Sequence, residues 1–100
     1  MDLKDVAMQQ KDRDLLSALV GEFLPHTAVW VFGSRIKGTS LPYSDLDLVV
    51  FTNPEQQQQV SLLKEALEES NLPFRVDVLE WNAIPESFKE TIKTKYAVIA

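Results

Sequence analysis

The chain has 100 residues, of which 45% are hydrophobic, no cysteine and a formal net charge of −5. This length predicts one domain over residues 1–100, and the acidic balance argues against stable nucleic-acid binding. No apolar run reaches the roughly 20 residues of a membrane span, and the polar N-terminus does not resemble a targeting peptide, so we expect a cytoplasmic protein without a disulfide framework or thiolate metal site.

The first half of the chain predicts one helix and two strands. Apolar residues at helical spacing indicate an amphipathic helix over Lys11–Leu24, which Pro25 ends. Ala28–Phe32 is a short β-rich run that stops at Gly33, and Leu46–Thr52 is a second one.

The second half continues the alternation. Glu55–Glu69 has helical spacing, and Phe74–Leu79 has the pattern of a third strand. A last helix is predicted over Ile84–Lys93, and the tail Tyr96–Ala100 is either a short edge strand or a partner-facing segment. The order α-β-β-α-β-α predicts an α/β (α+β) fold in which a small mixed sheet is backed by helices on one face.

The turn after the first predicted strand has the composition of a phosphate-binding junction. Gly33 and Ser34 follow the strand directly. Glycine lets backbone N–H groups approach a phosphate closely, the first amides of a following helix would point at the same anion, and the serine hydroxyl adds a donor. Taken by themselves, these residues have a simpler interpretation as an ordinary turn.

Two aspartates lie at the start of the second strand. Asp45 and Asp47 are separated by one residue, so in a strand both carboxylates project from one face, while Leu46 and Leu48 take the other. Like charges held this close repel one another unless a cation lies between them, and oxygen-only ligands suit magnesium. The pattern therefore predicts a magnesium site, although a solvated strand end is the simpler interpretation of the pair alone.

A third carboxylate lies in the last predicted strand. Asp77 lies on the face opposite Phe74, Val76 and Val78, where a neighbouring strand would bring it beside the aspartate pair. Three carboxylates suit a two-ion phosphoryl-transfer site, in which Asp77 binds the second ion or takes the proton from the attacking hydroxyl.

Taken together, these motifs resemble those of the DNA polymerase β-type nucleotidyltransferases. A Gly-Ser pair, ten residues, an Asp-x-Asp pair and a later strand aspartate follow one another, and the resemblance covers roughly Val29 to Leu79. The short chain is most similar to the minimal nucleotidyltransferases, single domains often encoded beside a HEPN-family ribonuclease. The resemblance implies the polymerase β-like nucleotidyltransferase fold.

The same resemblance implies an activity and its participants. The activity is an antitoxin's transfer of AMP from ATP to a tyrosine of the HEPN toxin, with two Mg²⁺ ions held by Asp45, Asp47 and Asp77. Gly33 and Ser34 would bind the nucleoside triphosphate. Less firmly, Arg35 and Lys37 would neutralise phosphate charge and Ser44 would shape the loop. A homo- or hetero-oligomer is compatible with the apolar tail.

Two other functions remain open from the sequence. The chain would serve as a non-catalytic antitoxin or binding module if the nucleotide site were vestigial, or it would modify a small molecule or an RNA end. Other conspicuous residues have plainer interpretations: His26 as a loop residue, Trp30 and Trp81 as packing residues, and Lys89–Lys95 as a solvated helix face.

Overall fold

A computed structural model describes residues 6–33, 35 and 44–100. Its helices and strands are, in chain order, α1 (Gln10–Phe23), β1 (Val29–Phe32), β2 (Leu46–Val50), α2 (Gln57–Glu69), β3 (Val76–Glu80), α3 (Glu86–Thr94) and β4 (Ala97–Val98). None of the helices in these ranges has the length and apolarity to traverse a bilayer. The predicted site residues Ser34 and Lys37 lie outside the described residues.

Local sequence signals explain where α2 begins. The Asn53 side chain accepts a hydrogen bond from the Glu55 N–H at 3.0 Å, and the Gln56 side chain accepts one from the Asn53 N–H at 3.1 Å. This reciprocal capping box and Pro54 start a short 3₁₀ turn that leads into the helix. Gln56 also donates to the Thr27 hydroxyl at 2.9 Å, which ties the start of α2 to the turn before β1.

The strands form a mixed sheet in the order β3-β2-β1-β4. β1 pairs antiparallel with β2 and with β4, whereas β2 and β3 are parallel because α2 crosses between them. The predicted three strands are therefore confirmed, and the tail contributes a short fourth one at the edge. β2 lies inside the sheet, with a strand paired on each side.

Helices cover both faces of the sheet, which corrects the expectation that they back one face. α1 and α2 pack their buried residues, among them Leu16 and Leu63, against Leu46, Leu48 and other residues of one sheet face. α3 packs on the opposite face because its buried Ile92 contacts Phe32 and Val49, whose side chains alternate with those of the main core. The end of the sheet that carries Asp47 therefore lies beside α3.

An aromatic cluster extends this second core. Trp30 stacks on Tyr96 with ring centroids 3.8 Å apart and meets Phe51 and Trp81 edge-on at 4.5 and 5.8 Å. The interpretation of the two tryptophans as packing residues is confirmed. His26 lies in the turn after α1 with a φ of 59°, as expected of a loop residue.

Two adjacent leucines of α2 offer a direct test of this packing. Leu63 is fully buried, whereas Leu62 is 43% exposed. Leu63→Ala is expected to lower the free energy of unfolding by about 2–5 kcal/mol because it leaves a cavity in the main core. Leu62→Ala is expected to change it by roughly 0.5 kcal/mol or less. Urea denaturation of both variants measures the difference, and equal losses would contradict the placement of α2.

Candidate active site

The central strand brings the predicted site residues together. Asp47 of β2 is paired with Phe32 of β1 on one side and with Asp77 of β3 on the other. Residues paired across neighbouring strands point to the same face, so the Asp47 and Asp77 carboxylates project together. Asp45 lies one residue before β2 and is exposed. The prediction that a neighbouring strand places Asp77 beside Asp47 is confirmed.

Gly33 follows β1 directly and lies against Asp47. Its φ is +92°, a conformation that residues with a side chain rarely adopt. A Cβ at this position would overlap the Asp47 carboxylate, with the Asp47 Cγ only 3.3 Å away. Glycine is therefore required twice here, by the backbone conformation and by the carboxylate that fills the space beside it.

The electrostatics of Asp47 reflect this crowding. Its pKa is raised above the ordinary value, first by burial and then by the negative charges of Asp77 and Asp45. Each of these causes disfavours a bare carboxylate at this position, and a bound cation would oppose all of them. The arrangement thus has the charge balance of a cation site.

Asp77 forms an ion pair with Arg75, which lies two residues earlier in the chain. Arg75 Nη2 lies 3.0 Å from Asp77 Oδ1, and the two side chains are 75% and 34% exposed. An ion pair this exposed contributes little to stability and exchanges readily with solvent or ligand. Asp77 is therefore available to a hydroxyl or cation that displaces the Arg75 guanidinium.

Arg35 has a structural role that the sequence did not indicate. The residue is only 4% exposed, and its guanidinium donates to the Ser44 carbonyl at 2.7 and 3.0 Å and to the Ala7 carbonyl at 2.6 Å. It also lies over the Phe74 ring, 4.1 Å from the centroid. These contacts fix the backbone immediately before Asp45, and they do not support the interpretation of Arg35 as a phosphate ligand.

The charge of Arg35 still acts on the site. Burial lowers the pKa of Arg35, whereas the charges of Asp12 and Asp45 raise it. The positive charge of the buried guanidinium therefore partly offsets the negative charge of the Asp45 carboxylate. Ser44 contributes its backbone carbonyl to this contact, which agrees with the prediction that it shapes the loop.

The donor chemistry of the three aspartates fits a divalent ion. Hard carboxylate oxygens from β3 and from the start of β2 suit Mg²⁺, which takes one or two carboxylates and completes its shell with water and phosphate oxygens. Within the described ranges, no three His, Cys, Asp or Glu side chains are gathered around a common point. The assignment of the three aspartates as metal ligands therefore stays a prediction.

Two depressions are each lined by one of the two paired aspartates. The first, here called the α3 cleft, has a volume of about 280 Å³ and is lined by Phe32, Gly33, Asp47, Leu79, Phe88, Thr91, Ile92 and Lys95. The second, here called the β3 groove, has a volume of about 570 Å³ and is lined by Lys64, Leu67, Glu68, Leu72, Phe74, Arg75, Val76, Asp77 and Val78. One thus reaches Asp47 and the other reaches Asp77.

The contribution of α3 to this site was missed by sequence reasoning. Thr91 and Lys95 line the α3 cleft, although the lysine-rich segment was interpreted as a solvated helix face. The missing information was which face of the sheet α3 covers. The signal that was available is the 3- to 4-residue spacing from Phe88 to Thr91, Ile92 and Lys95, which puts these residues on one side of the helix.

Comparison with known proteins agrees with this geometry. The family described as Polymerase beta, Nucleotidyltransferase matches residues 22–100. A relative from Haemophilus influenzae, named "Probable protein adenylyltransferase MntA", is 39% identical over 93 residues, which cover 92% of this chain and 82% of that protein.

Solved structures share the fold. A toxin–antitoxin complex with AMP-PNP matches with a TM-score of 0.61 and 17% identity, covering 92% of this chain and 73% of that one. A complex of the tri-AMPylated Shewanella oneidensis HEPN toxin with its MNT antitoxin matches with a TM-score of 0.58 and 19% identity, covering 93% and 72%. At these identities the matches establish a common fold.

Substitution of Gly21 and of Gly33, the two glycines among the described residues, tests the requirement for glycine at position 33. Gly33→Ala is expected to destabilise the protein and displace the Asp47 carboxylate, because of the positive φ and the overlap with the new Cβ. Gly21→Ala in α1 meets nothing within 4 Å and is expected to stabilise by about 0.5–1 kcal/mol. Chemical denaturation measures both changes. Equal tolerance at the two positions would contradict this account of the turn.

The raised pKa of Asp47 predicts a pH-dependent stability. Because the pKa of Asp47 is higher in the folded protein than in the unfolded chain, ionisation of Asp47 lowers the free energy of unfolding. This loss is absent below the unfolded pKa of about 3.9, grows as the pH rises towards the folded pKa and is complete above it. Asp47→Asn removes this loss. With EDTA present, the variant is therefore expected to be more stable than the wild type at pH 7, and the difference is expected to vanish near pH 3.

The control for this experiment is Asp14→Asn, which changes an exposed carboxyl on α1. It is expected to change stability by no more than roughly 0.5 kcal/mol. Thermal unfolding of the three proteins across pH 3–8 provides the comparison. A wild type that is more stable than Asp47→Asn at pH 7 without metal would contradict the crowding of carboxylates.

Proposed function

This chain belongs to the polymerase beta nucleotidyltransferase family, and we propose that it transfers AMP from ATP to a tyrosine of a HEPN-type toxin and thereby acts as the antitoxin. The observation that carries the proposal is the register of Asp47 opposite Asp77, beside Gly33 and just after Asp45. The 39% identical relative is named an adenylyltransferase, and a complex with the same fold contains a tri-AMPylated HEPN toxin. Both support this acceptor class.

The donor side of the reaction follows from the turn after β1 and the carboxylates beside it. Gly33 and Ser34 bind the triphosphate of ATP, where the positive φ of Gly33 exposes backbone amides to phosphate oxygens. Asp45, Asp47 and Asp77 would hold two magnesium ions. When bound, Mg²⁺ would supply charge neutralisation at the triphosphate and at the attacking oxygen.

The chemical step is an in-line displacement at the α-phosphorus. The tyrosine oxygen forms a bond to that phosphorus while the bond to the oxygen bridging the α- and β-phosphates breaks, and pyrophosphate leaves with the electron pair. The Asp77 carboxylate accepts the proton of the tyrosine hydroxyl. Because little covalent chemistry is required of the protein, catalysis depends on positioning and on charge.

The acceptor reaches the site from the side of β3. The β3 groove lies at the edge strand of the described sheet, and Asp77, the residue that would receive the hydroxyl proton, is among its lining residues. Its 570 Å³ accommodates a tyrosine side chain with its flanking residues. A protein partner would thus present the tyrosine while the nucleotide lies on the opposite side of the aspartates.

The setting of the reaction follows from the composition. The chain has no cysteine and a net charge of −5. We assign its action to the cytoplasm, in one domain that works on a bound protein partner and not on a nucleic acid.

Neutralising the aspartate pair tests the proposed activity. Asp45→Asn/Asp47→Asn is expected to lower AMP transfer by roughly 10²-fold or more, because the site loses the charge that binds the metal and orients the triphosphate. The measurement is intact-mass spectrometry of a purified HEPN-type partner incubated with ATP, Mg²⁺ and each form of the chain. The wild type is expected to add AMP increments to the partner.

The control is Glu65→Gln/Glu69→Gln, which removes the same two charges from the exposed face of α2. This variant is expected to retain transfer. A partner that the Asn variants modify as fast as the wild type would overturn the catalytic assignment. A stable complex without any mass change would favour a non-catalytic antitoxin.

A further inference from the structure

Lys95 lies at the end of α3, on the wall of the α3 cleft. Its backbone N–H donates to the Ile92 carbonyl at 3.2 Å, and Ile92 is only 1% exposed in the second core. The position of the Lys95 backbone is thereby fixed by core packing, while its side chain is exposed. The same cleft is lined by Gly33 and Asp47. The ammonium of Lys95 is therefore carried on a flexible side chain whose backbone is held in place beside Gly33.

The other lysines of α3 have different surroundings. Lys89 lies 3.0 Å from Glu86 and 5.4 Å from the Trp81 ring centroid. Lys93 lies 3.5 Å from Glu90 and 5.7 Å from the same ring. Both thus lie within ion-pair distance of a carboxylate on their own helix, and neither lines the α3 cleft. Within the described ranges, no ion pair involves Lys95.

A nucleoside triphosphate at this site needs protein cations. Asp47 already carries negative charge on the wall of the cleft, and the charges of Asp77 and Asp45 act on it. Arg35 is buried with its guanidinium bonded to backbone carbonyls, and Arg75 is paired with Asp77 on the side of the β3 groove. On the side of Asp47 and Gly33, Lys95 is the cationic residue among those that line the α3 cleft.

We propose that Lys95 binds the β- and γ-phosphates of the donor nucleotide and stabilises the pyrophosphate as it leaves. This inference rests on the proposed function in taking a nucleoside triphosphate as the donor and in placing its phosphates beside Gly33. The cleft volume of 280 Å³ is near the lower end of ligand pockets, roughly 300 Å³, and suits part of a nucleotide. The part placed beside Gly33 would be the polyphosphate, because a glycine without a Cβ lets the backbone approach phosphate oxygens closely.

Lys95 assists the displacement by hydrogen bonding and is not itself changed in the reaction. As the bond between the α-phosphorus and the bridging oxygen breaks, negative charge grows on the departing pyrophosphate. The ammonium of Lys95 donates hydrogen bonds to those oxygens and retains its own protons. A charge placed where negative charge develops lowers the barrier as well as favouring binding. Lysine suits this role because it is a compact charge on a flexible stem.

Lys95→Ala tests the assignment by binding as well as by rate. Its Kd for inorganic pyrophosphate and for a non-hydrolysable ATP analogue, both with Mg²⁺ and measured by calorimetry, is expected to rise about tenfold or more, because a hydrogen bond to a charged group is lost. The kcat of AMP transfer is expected to fall as well, and product inhibition by pyrophosphate is expected to weaken. Lys95→Arg is expected to restore most of the binding.

Lys93→Ala is the matched control, since it removes the same charge two residues earlier from a lysine engaged by Glu90 and Trp81. It is expected to change either Kd by less than about twofold. Equal effects of the two alanine variants, or unchanged pyrophosphate binding in Lys95→Ala, would overturn the proposal.

The binding readout separates this inference from the proposed function. Pyrophosphate binding that depends on Lys95, without AMP transfer by the wild type, would support the phosphate site and remove the proposed acceptor. AMP transfer with unchanged pyrophosphate binding and kcat in Lys95→Ala would support the proposed function and overturn the role of Lys95.

Discussion

The site depends on the way β2 is held between two strands. Antiparallel pairing with β1 sets Asp47 beside Phe32 and the Gly33 turn, and parallel pairing with β3 sets it beside Asp77. A shift of one residue in either register would turn one of these side chains to the opposite face, into the core that α1 and α2 cover. Burial of Leu46 and Leu48 on that face specifies the register, so the packing that stabilises the fold also assembles the carboxylates.

The arrangement brings negative charges close together. This is unfavourable by itself, and it also allows the site to bind cations. Asp47 has a raised pKa because burial and two neighbouring carboxylates oppose its ionisation. The positive charges of the buried Arg35 and of Arg75 offset part of the negative charge of the aspartates. The remainder is what bound metal ions would balance, and Lys95 would offset the negative charge at the far end of the triphosphate. A site this unfavourable when empty gains correspondingly from binding its cation.

Much of the fold was predictable from the sequence because its signals are local. Proline and glycine mark the ends of α1 and β1, and alternation puts Asp47 and Asp77 opposite apolar faces that must be buried. The proximity of Asp45 and Asp47 follows from their separation by one residue in the chain, although Asp45 lies just before β2. The placement of Asp77 required strand order, which the order of elements and the family resemblance supplied together.

The parts that were missed depend on contacts between segments distant in the chain. Arg35 follows the Gly33–Ser34 pair in the sequence and was interpreted as a phosphate ligand, but its guanidinium reaches the carbonyl of Ala7 across 28 positions. The position of α3 on the second face similarly depends on Ile92 meeting Phe32 and Val49. The Arg35 contact has no periodic signature, and the helical spacing in α3 does not say which face of the sheet the helix covers. The structural role of Arg35 and the cleft beside Lys95 therefore appear only in three dimensions.

A crystal structure of the chain with Mn²⁺ and a non-hydrolysable ATP analogue would test the central claim most directly. Anomalous scattering locates the metal independently of the protein map. The account predicts metal peaks bound by the carboxylates of Asp45, Asp47 and Asp77, with the triphosphate lying between them and the Gly33 turn. A nucleotide bound away from that turn, or metal peaks without contact to Asp47, would contradict the account.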